Sequence, residues 1–246
     1  MDSGMFVRGR RFSKAKGMCL LPVVVIFLWT LFSAGACSAK MERKVINRED
    51  LNVFLITIDT LRADRVGYSG YAVETPHLDL LARGGARFMN AVCQVPLTLP
   101  SHASILTGMN PPFHKVKNNG TYFLRENDTT LAEILRQRNY KTAAFIGAFP
   151  LDSQFGLDQG FSVYDDQFKN PASLAGYEPQ RTAEQVTGAA AAWLEQNAGK
   201  KFFVWVHYYD PHLPYAPPAP FDKQYNSPYD GEIAYTDVHG GSCWSF

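Results

Sequence analysis

The chain alternates short apolar runs with helically spaced apolar positions, and that alternation predicts its layers. Val53 to Ile58 is a near-continuous apolar run, the pattern of a parallel strand covered on both faces. Phe202 to Val206 reads the same way, and Lys141 to Ile146 reads as a third strand. Ala86 to Val92 predicts a further short strand leading into the segment that follows it. Leu131, Ile134 and Leu135 fall at helical spacing within Thr130 to Gln137. Thr182 to Gln196 is Ala-rich, with Val186, Ala190, Trp193 and Leu194 at helical intervals. A short helix is predicted at Thr98-Leu-Pro-Ser-His-Ala-Ser-Ile-Leu-Thr-Gly108. Pro100 suits its first turn, Ile105 and Leu106 supply a buried side, and Gly108 is a natural stop. Strands alternating with helices imply an α/β fold, a mostly parallel central sheet with helices on both faces.

Candidate chemistry sits where these elements begin and end. Asp59 arrives at the carboxyl end of the first strand, where open α/β sheets place their ligands. A carboxylate there suits a hard cation, which would neutralise an anionic substrate and acidify a neighbouring hydroxyl. Thr98 is such a hydroxyl, and a helix start favours a bound anion beside it. The third strand-end cluster is Asp210-Pro-His212. His207, on a strand with Trp205, reads as a structural histidine with satisfied ring nitrogens. Asp152, Asp158, Asp165 and Asp166, set among Gly156 and Gly160, read as turn residues. Tyr208, Tyr209, Tyr215 and Pro217-Pro218 read as a Pro-rich surface loop more simply than as a substrate mouth.

Three ordered motifs carry a family resemblance over roughly Leu51 to Val238. They are Ile56-Thr-Ile-Asp59-Thr60-Leu-Arg-Ala-Asp64, then Thr98 to Gly108, then Asp210-Pro-His212-Leu-Pro-Tyr215. Together they resemble the sulfatase family of the alkaline phosphatase superfamily. In that family the nucleophile motif is Cys or Ser, any residue, Pro, Ser, Arg, with the first residue oxidised to formylglycine. Here Thr98, Leu99, Pro100, Ser101 and His102 stand at those positions. Threonine does not follow that maturation, which points to relatives that use an unmodified Thr. Cys93 has the wrong spacing to replace it.

The resemblance implies an ester hydrolase acting on sulfate or phosphate esters of small molecules or glycans. It gives catalytic roles to Thr98, His212, Asn119 and His102, and one divalent metal (Ca, Mn or Zn) to Asp59, Thr60 and Thr98. Thr60 stands where the family carries a second Asp, and Phe145 to Pro150 stands in place of its Gly-Lys-x-His segment. The later Asp-His or Asp-Asn metal pair has no match. A phosphoethanolamine-type transferase and an inactive anion-binding fragment stay open as alternatives.

Composition narrows the partners. Net charge is +1, which argues against nucleic acid as a partner. Cys19, Cys37, Cys93 and Cys243 make no disulfide framework. Five basic residues from Arg8 to Lys16 precede an uncharged run from Gly17 to Ala39. Residues 1–39 therefore read as a signal peptide or membrane anchor. Ala34-Gly35-Ala36 offers a cleavage site, and Cys37 suggests a lipoprotein alternative. The expectation is an exported protein, periplasmic, extracellular or membrane-tethered, with 40–50 as a linker and 51–238 as the enzyme-like domain. After Val238 the amphipathic pattern stops, so 239–246 reads as an aberrant tail on a C-terminally truncated domain.

Overall fold

The computed structural model describes residues 51–168 and 179–244, so the leader and linker expectations lie outside the described residues. Four strands form one parallel sheet: β1 (Val53–Ile58), β2 (Lys141–Ile146), β3 (Val163–Asp165) and β4 (Phe202–Tyr208). Their order is β1-β4-β2-β3, so β4 lies between the two longer neighbours and all seven of its residues are buried. The longer helices are α1 (Pro76–Gly84), α2 (Thr98–Thr107), α4 (Leu131–Gln137), α5 (Ala183–Gln196) and α7 (Pro228–Trp244). Single turns α3 (Pro111–His114) and α6 (Phe221–Gln224) complete the set.

Two cores form because strand side chains alternate between faces. Leu99, Ala103 and Leu106 of α2 and Ala132 and Leu135 of α4 pack with Ala144, Ile146, Phe203 and Trp205 on one face. Val186, Ala190 and Leu194 of α5 pack with Phe145, Val204, Val206 and Tyr208 on the other, joined by Tyr235 and Cys243 of α7. Helices thus cover both faces of the sheet, as the apolar runs predict. Local signals set the helix starts. Thr130 with Glu133, and Thr182 with Gln185, form reciprocal capping boxes. Gly108 ends α2 in the left-handed region at φ 68°, a conformation that glycine adopts without steric penalty.

Three expectations change. Ala86 to Val92 forms no strand; it pairs with no neighbour, and Phe88 and Val92 are 84% and 82% exposed. β3 was not foreseen, because three residues are too few to display a period. Residues 239–244, read as part of an aberrant tail, continue α7 to Trp244. Two glycines weaken its sequence signal, yet packing holds it. His239 lies against Tyr235 with ring centroids 4.5 Å apart, and Cys243 is buried beside the Thr187 carbonyl.

Helix α7 also ties distant backbone together through its acids. Asp237 Oδ2 and Oδ1 accept from the N–H groups of His77 and Leu78 at 3.0 and 2.8 Å, capping α1. Asp237 therefore serves a helix start. Glu232 Oε1 accepts from Ala216 N–H at 2.6 Å, holding the loop that carries His212. Its Oε2 is buried and has no hydrogen-bond partner. Burial, then the nearby Asp210 carboxyl, pushes Glu232 up to about 7. Asp210 accepts from Ala183 N–H at 2.8 Å, and burial pushes it up to about 6.

Two outcomes follow from these contacts. Asp237→Ala removes both acceptors at the start of α1 and lowers stability by about 1–2 kcal/mol, read as an earlier urea midpoint. Glu232 has the opposite character. In the fold it keeps its proton up to about pH 7, while the unfolded chain releases it near 4.5. The folded state holds the extra proton between those values, so this carboxyl's contribution to stability is lost as pH rises through 7. Glu232→Gln stays neutral and exceeds wild type at pH 8 by on the order of 1–3 kcal/mol. At pH 5 the two have similar urea midpoints.

Candidate active site

Strand parity decides which side chains meet. The odd-numbered residues of β1 and β4 face α2, and β1 pairs with β4 in the register Thr57↔His207. Trp205 Nε1 marks that shared face by donating to Thr57 Oγ1 at 3.0 Å. Asp59 continues the odd series just past β1, so its carboxylate emerges beside His207 and under the first turn of α2. Thr98, the first residue of α2, donates its hydroxyl to Asp59 Oδ2 at 3.0 Å. Two residues 39 apart in sequence are thereby joined.

Asn119 closes the third side. Its Oδ1 accepts from Leu99 N–H at 2.9 Å, capping α2 from outside the helix, since Leu97 offers no capping side chain. His212 enters from the loop after β4. Its Nδ1–H donates to the Leu213 carbonyl at 2.7 Å, and its Nε2 lies 3.2 Å from the Tyr209 hydroxyl. The Tyr209 ring stacks on it at 4.1 Å. Tyr209 is therefore a support for His212, and Tyr208 is a buried core residue bonded to Thr187; neither belongs to a surface loop. Asp59, Thr98, His102, Asn119 and His212 line one cleft of about 570 Å³, together with Thr60, Cys93 and Ser101.

Thr60 sits differently from the expectation. It adopts a left-handed backbone, φ 51°, and its hydroxyl donates to the Pro211 carbonyl. That contact turns its side chain toward the His212 loop. Of the three residues expected at a metal, Asp59 and Thr98 share a contact and Thr60 is engaged elsewhere. Among the described residues no group of three or more His, Cys, Asp or Glu converges as a ready metal site.

Electrostatics separate the charged members from the neutral ones. Burial raises the Asp59 carboxyl, but the His207 imidazole, then His102 and the Thr98 hydroxyl, outweigh it and hold Asp59 below the usual carboxylate range. Asp59 is thus an anion in the neutral range. His102 is pushed down to about 4, by burial first and then by His207. It is neutral, and its Nδ1–H donates to the Thr98 carbonyl at 2.7 Å. The contact makes His102 a brace for the Thr98 backbone.

His207 departs most from expectation. It is fully buried, and neither ring nitrogen has a hydrogen-bond partner. Its Nε2 lies 3.6 Å from Asp59 Oδ2, and its ring meets that of His102 edge-on at 4.9 Å. The sequence signal for this placement was register: His207 stands two residues after Trp205 on a strand that pairs with β1. The arrangement offers an anionic ligand, a hydroxyl fixed on that ligand, an amide and an imidazole around one cleft. Such a set can bind an anionic ester and present an oxygen nucleophile to it.

The chain is similar to known proteins in sequence and in fold. Ulvan-active sulfatase of Formosa agariphila is 35% identical over 136 residues, 53% of this chain and 25% of that protein. The chain spans 25–38% of the length of this and two further curated relatives, so it corresponds to part of each. The phosphonate monoester hydrolase structure of Agrobacterium radiobacter superposes with a TM-score of 0.63 at 19% identity, over 79% of this chain and 58% of that one. A structure in complex with its substrate D-glucosamine-2-N,6-O-disulfate superposes with a TM-score of 0.54 at 24% identity, over 68% and 35%. At those identities the superpositions establish the alkaline phosphatase and sulfatase-like fold. The family description "Sulfatase" matches residues 51–239, which includes every strand and the whole cleft, and the chain belongs to the sulfatase family.

Proposed function

We propose that this chain carries the nucleophile half of an exported sulfate- or phosphate-ester hydrolase, with Thr98 as the attacking residue. The observation that carries the reading is the Thr98 hydroxyl bonded to the Asp59 carboxylate in a cleft also lined by Asn119 and His212. A cleft of about 570 Å³ suits a ligand of sugar size. The ulvan-active relative and the aminosugar disulfate complex support a sulfated glycan as the ester, and the phosphonate hydrolase fold supports a phosphorus alternative.

A divalent cation is part of this reading. Asp59 and Thr98 fit one side of its site, because an anionic oxygen and a hydroxyl oxygen stand 3.0 Å apart on the cleft wall. When bound, the ion supplies charge that acidifies a coordinated hydroxyl and neutralises ester oxygens. The chain's own residues do the rest. Asp59 orients the Thr98 hydroxyl, and His102 fixes the Thr98 carbonyl. Thr98 Oγ1 forms a bond to sulfur or phosphorus as the bond to the alcohol oxygen breaks, and the alcohol leaves with a proton. Asn119 stands where an amide can grip an oxygen of the transferred group. His212 stands where an imidazole can contact the leaving group. Water then cleaves the threonine ester and releases sulfate or phosphate.

Thr98→Ala tests the assignment. Nitrophenol release from nitrophenyl sulfate and from bis-nitrophenyl phosphate falls on the order of 10³-fold or more, with an unchanged melting temperature. An equal rate in the variant removes Thr98 from the mechanism. No release by wild type on either ester, with the anion still bound, favours the binding-fragment reading.

A further inference from the structure

His207 is a buried imidazole that the reaction above does not use. It has no exposed surface, and both ring nitrogens lack hydrogen-bond partners. Such a group is costly unless it serves a neighbour. Its neighbours are the two residues that define the nucleophile. On one side, Nε2 points to Asp59 Oδ2 at 3.6 Å, a gap that a few tenths of an ångström close to a hydrogen bond. On the other side lies His102, 4.9 Å away by ring centroid, whose Nε2 is also buried and unpartnered. His102 in turn donates to the Thr98 carbonyl, and Thr98 donates its hydroxyl back to Asp59 Oδ2.

These contacts trace a ring beneath the cleft: Asp59, Thr98, His102, His207 and back to Asp59. Proton bookkeeping around it is constrained. His102 gives its Nδ1 proton to a carbonyl, so its Nε2 carries a lone pair when neutral. His207 is therefore the member able to supply an N–H to Asp59. Trp205 limits its freedom, with a ring centroid 6.3 Å away and its indole N–H committed to Thr57. With no exposed surface, the imidazole has no solvent partner in place of the carboxylate.

We propose that His207 is a positioning residue of this site: it holds the Asp59 carboxylate by Oδ2 and, through His102, keeps the Thr98 backbone in step with it. The proposal rests on the hydrolase reading, in which Asp59 is a cation ligand. It assigns His207 the role that outer hydrogen-bond partners play in fixing a ligand's orientation. His207 touches neither ester nor leaving group and is not a catalytic residue.

The test has two arms, both on the full chain. In the first, Mn²⁺ alone is titrated and followed by electron paramagnetic resonance. His207→Phe weakens Mn²⁺ binding by about 10–100-fold, whereas His207→Gln, whose amide N–H reaches the same oxygen, stays within about threefold of wild type. Asp59→Asn serves as the reference for a lost ligand. His207→Phe that folds and binds Mn²⁺ as tightly as wild type overturns the proposal. The second arm needs no change at His207. In ¹⁵N-labelled protein the His207 ring shows a protonated Nε2, and Asp59→Asn shifts that signal. An identical His207 spectrum in the two proteins overturns the proposal, and this arm decides if His207→Phe does not fold. Equal Mn²⁺ binding by wild type and Asp59→Asn instead refutes Asp59 as a cation ligand, leaving the ring signal to judge His207.

Discussion

The parallel register between β1 and β4 is the constraint on which the rest depends. One residue of slip in β1 would send Asp59 to the face covered by α5 and α7, away from His207 and α2. The register is held by apolar burial on both faces and by the Trp205 indole bonded to Thr57. A strand buried over all seven residues has no polar side to mark its orientation, so side-chain size does the marking. Of the large rings on the α2 face, Phe203 stacks on Phe161 and Trp205 meets Tyr164 edge-on. Burying such side chains contributes about 1.5–3 kcal/mol each, enough to make the register unambiguous.

On that platform the site is built from groups that brace one another. Asn119 caps the helix that presents Thr98, Tyr209 stacks under His212, and Glu232 grips the loop between β4 and α6. Each brace comes from a different part of the chain. The cleft is therefore braced from three sides, with its polar atoms facing one space. Burial makes His102 neutral, whereas Asp59 stays an anion against its burial because His207, His102 and the Thr98 hydroxyl outweigh it.

Much of this was legible in the sequence, and the reasons for the failures are physical. β1 and β2 could be read to the residue because short, mostly apolar runs have few other uses. Asp59, Thr98, Asn119 and His212 could be grouped because motif order and strand-end placement agree. His207 could not, since a histidine inside an apolar strand looks the same whether its nitrogens are satisfied or not; only pairing register reveals what faces it. Ala86 to Val92 misled for the reverse reason. A strand needs a ladder partner, which the composition of one segment cannot supply. The far end of α7 was hidden because Gly240 and Gly241 obscure a helix that tertiary contacts sustain.

Helix α7 also dictates when the fold can be finished. Asp237 caps α1 across 160 residues of sequence, and Tyr229 accepts from Arg62 N–H across 167. During synthesis α1 and the turn after Asp59 emerge early, yet their backbone donors wait for the last helix described. Contacts of such span slow folding, because a long loop must close before any of them rewards the chain. The rim of the cleft is thus a late-closing seam. Until it closes, the turn after Asp59 lacks the partner that its Arg62 N–H finds in Tyr229.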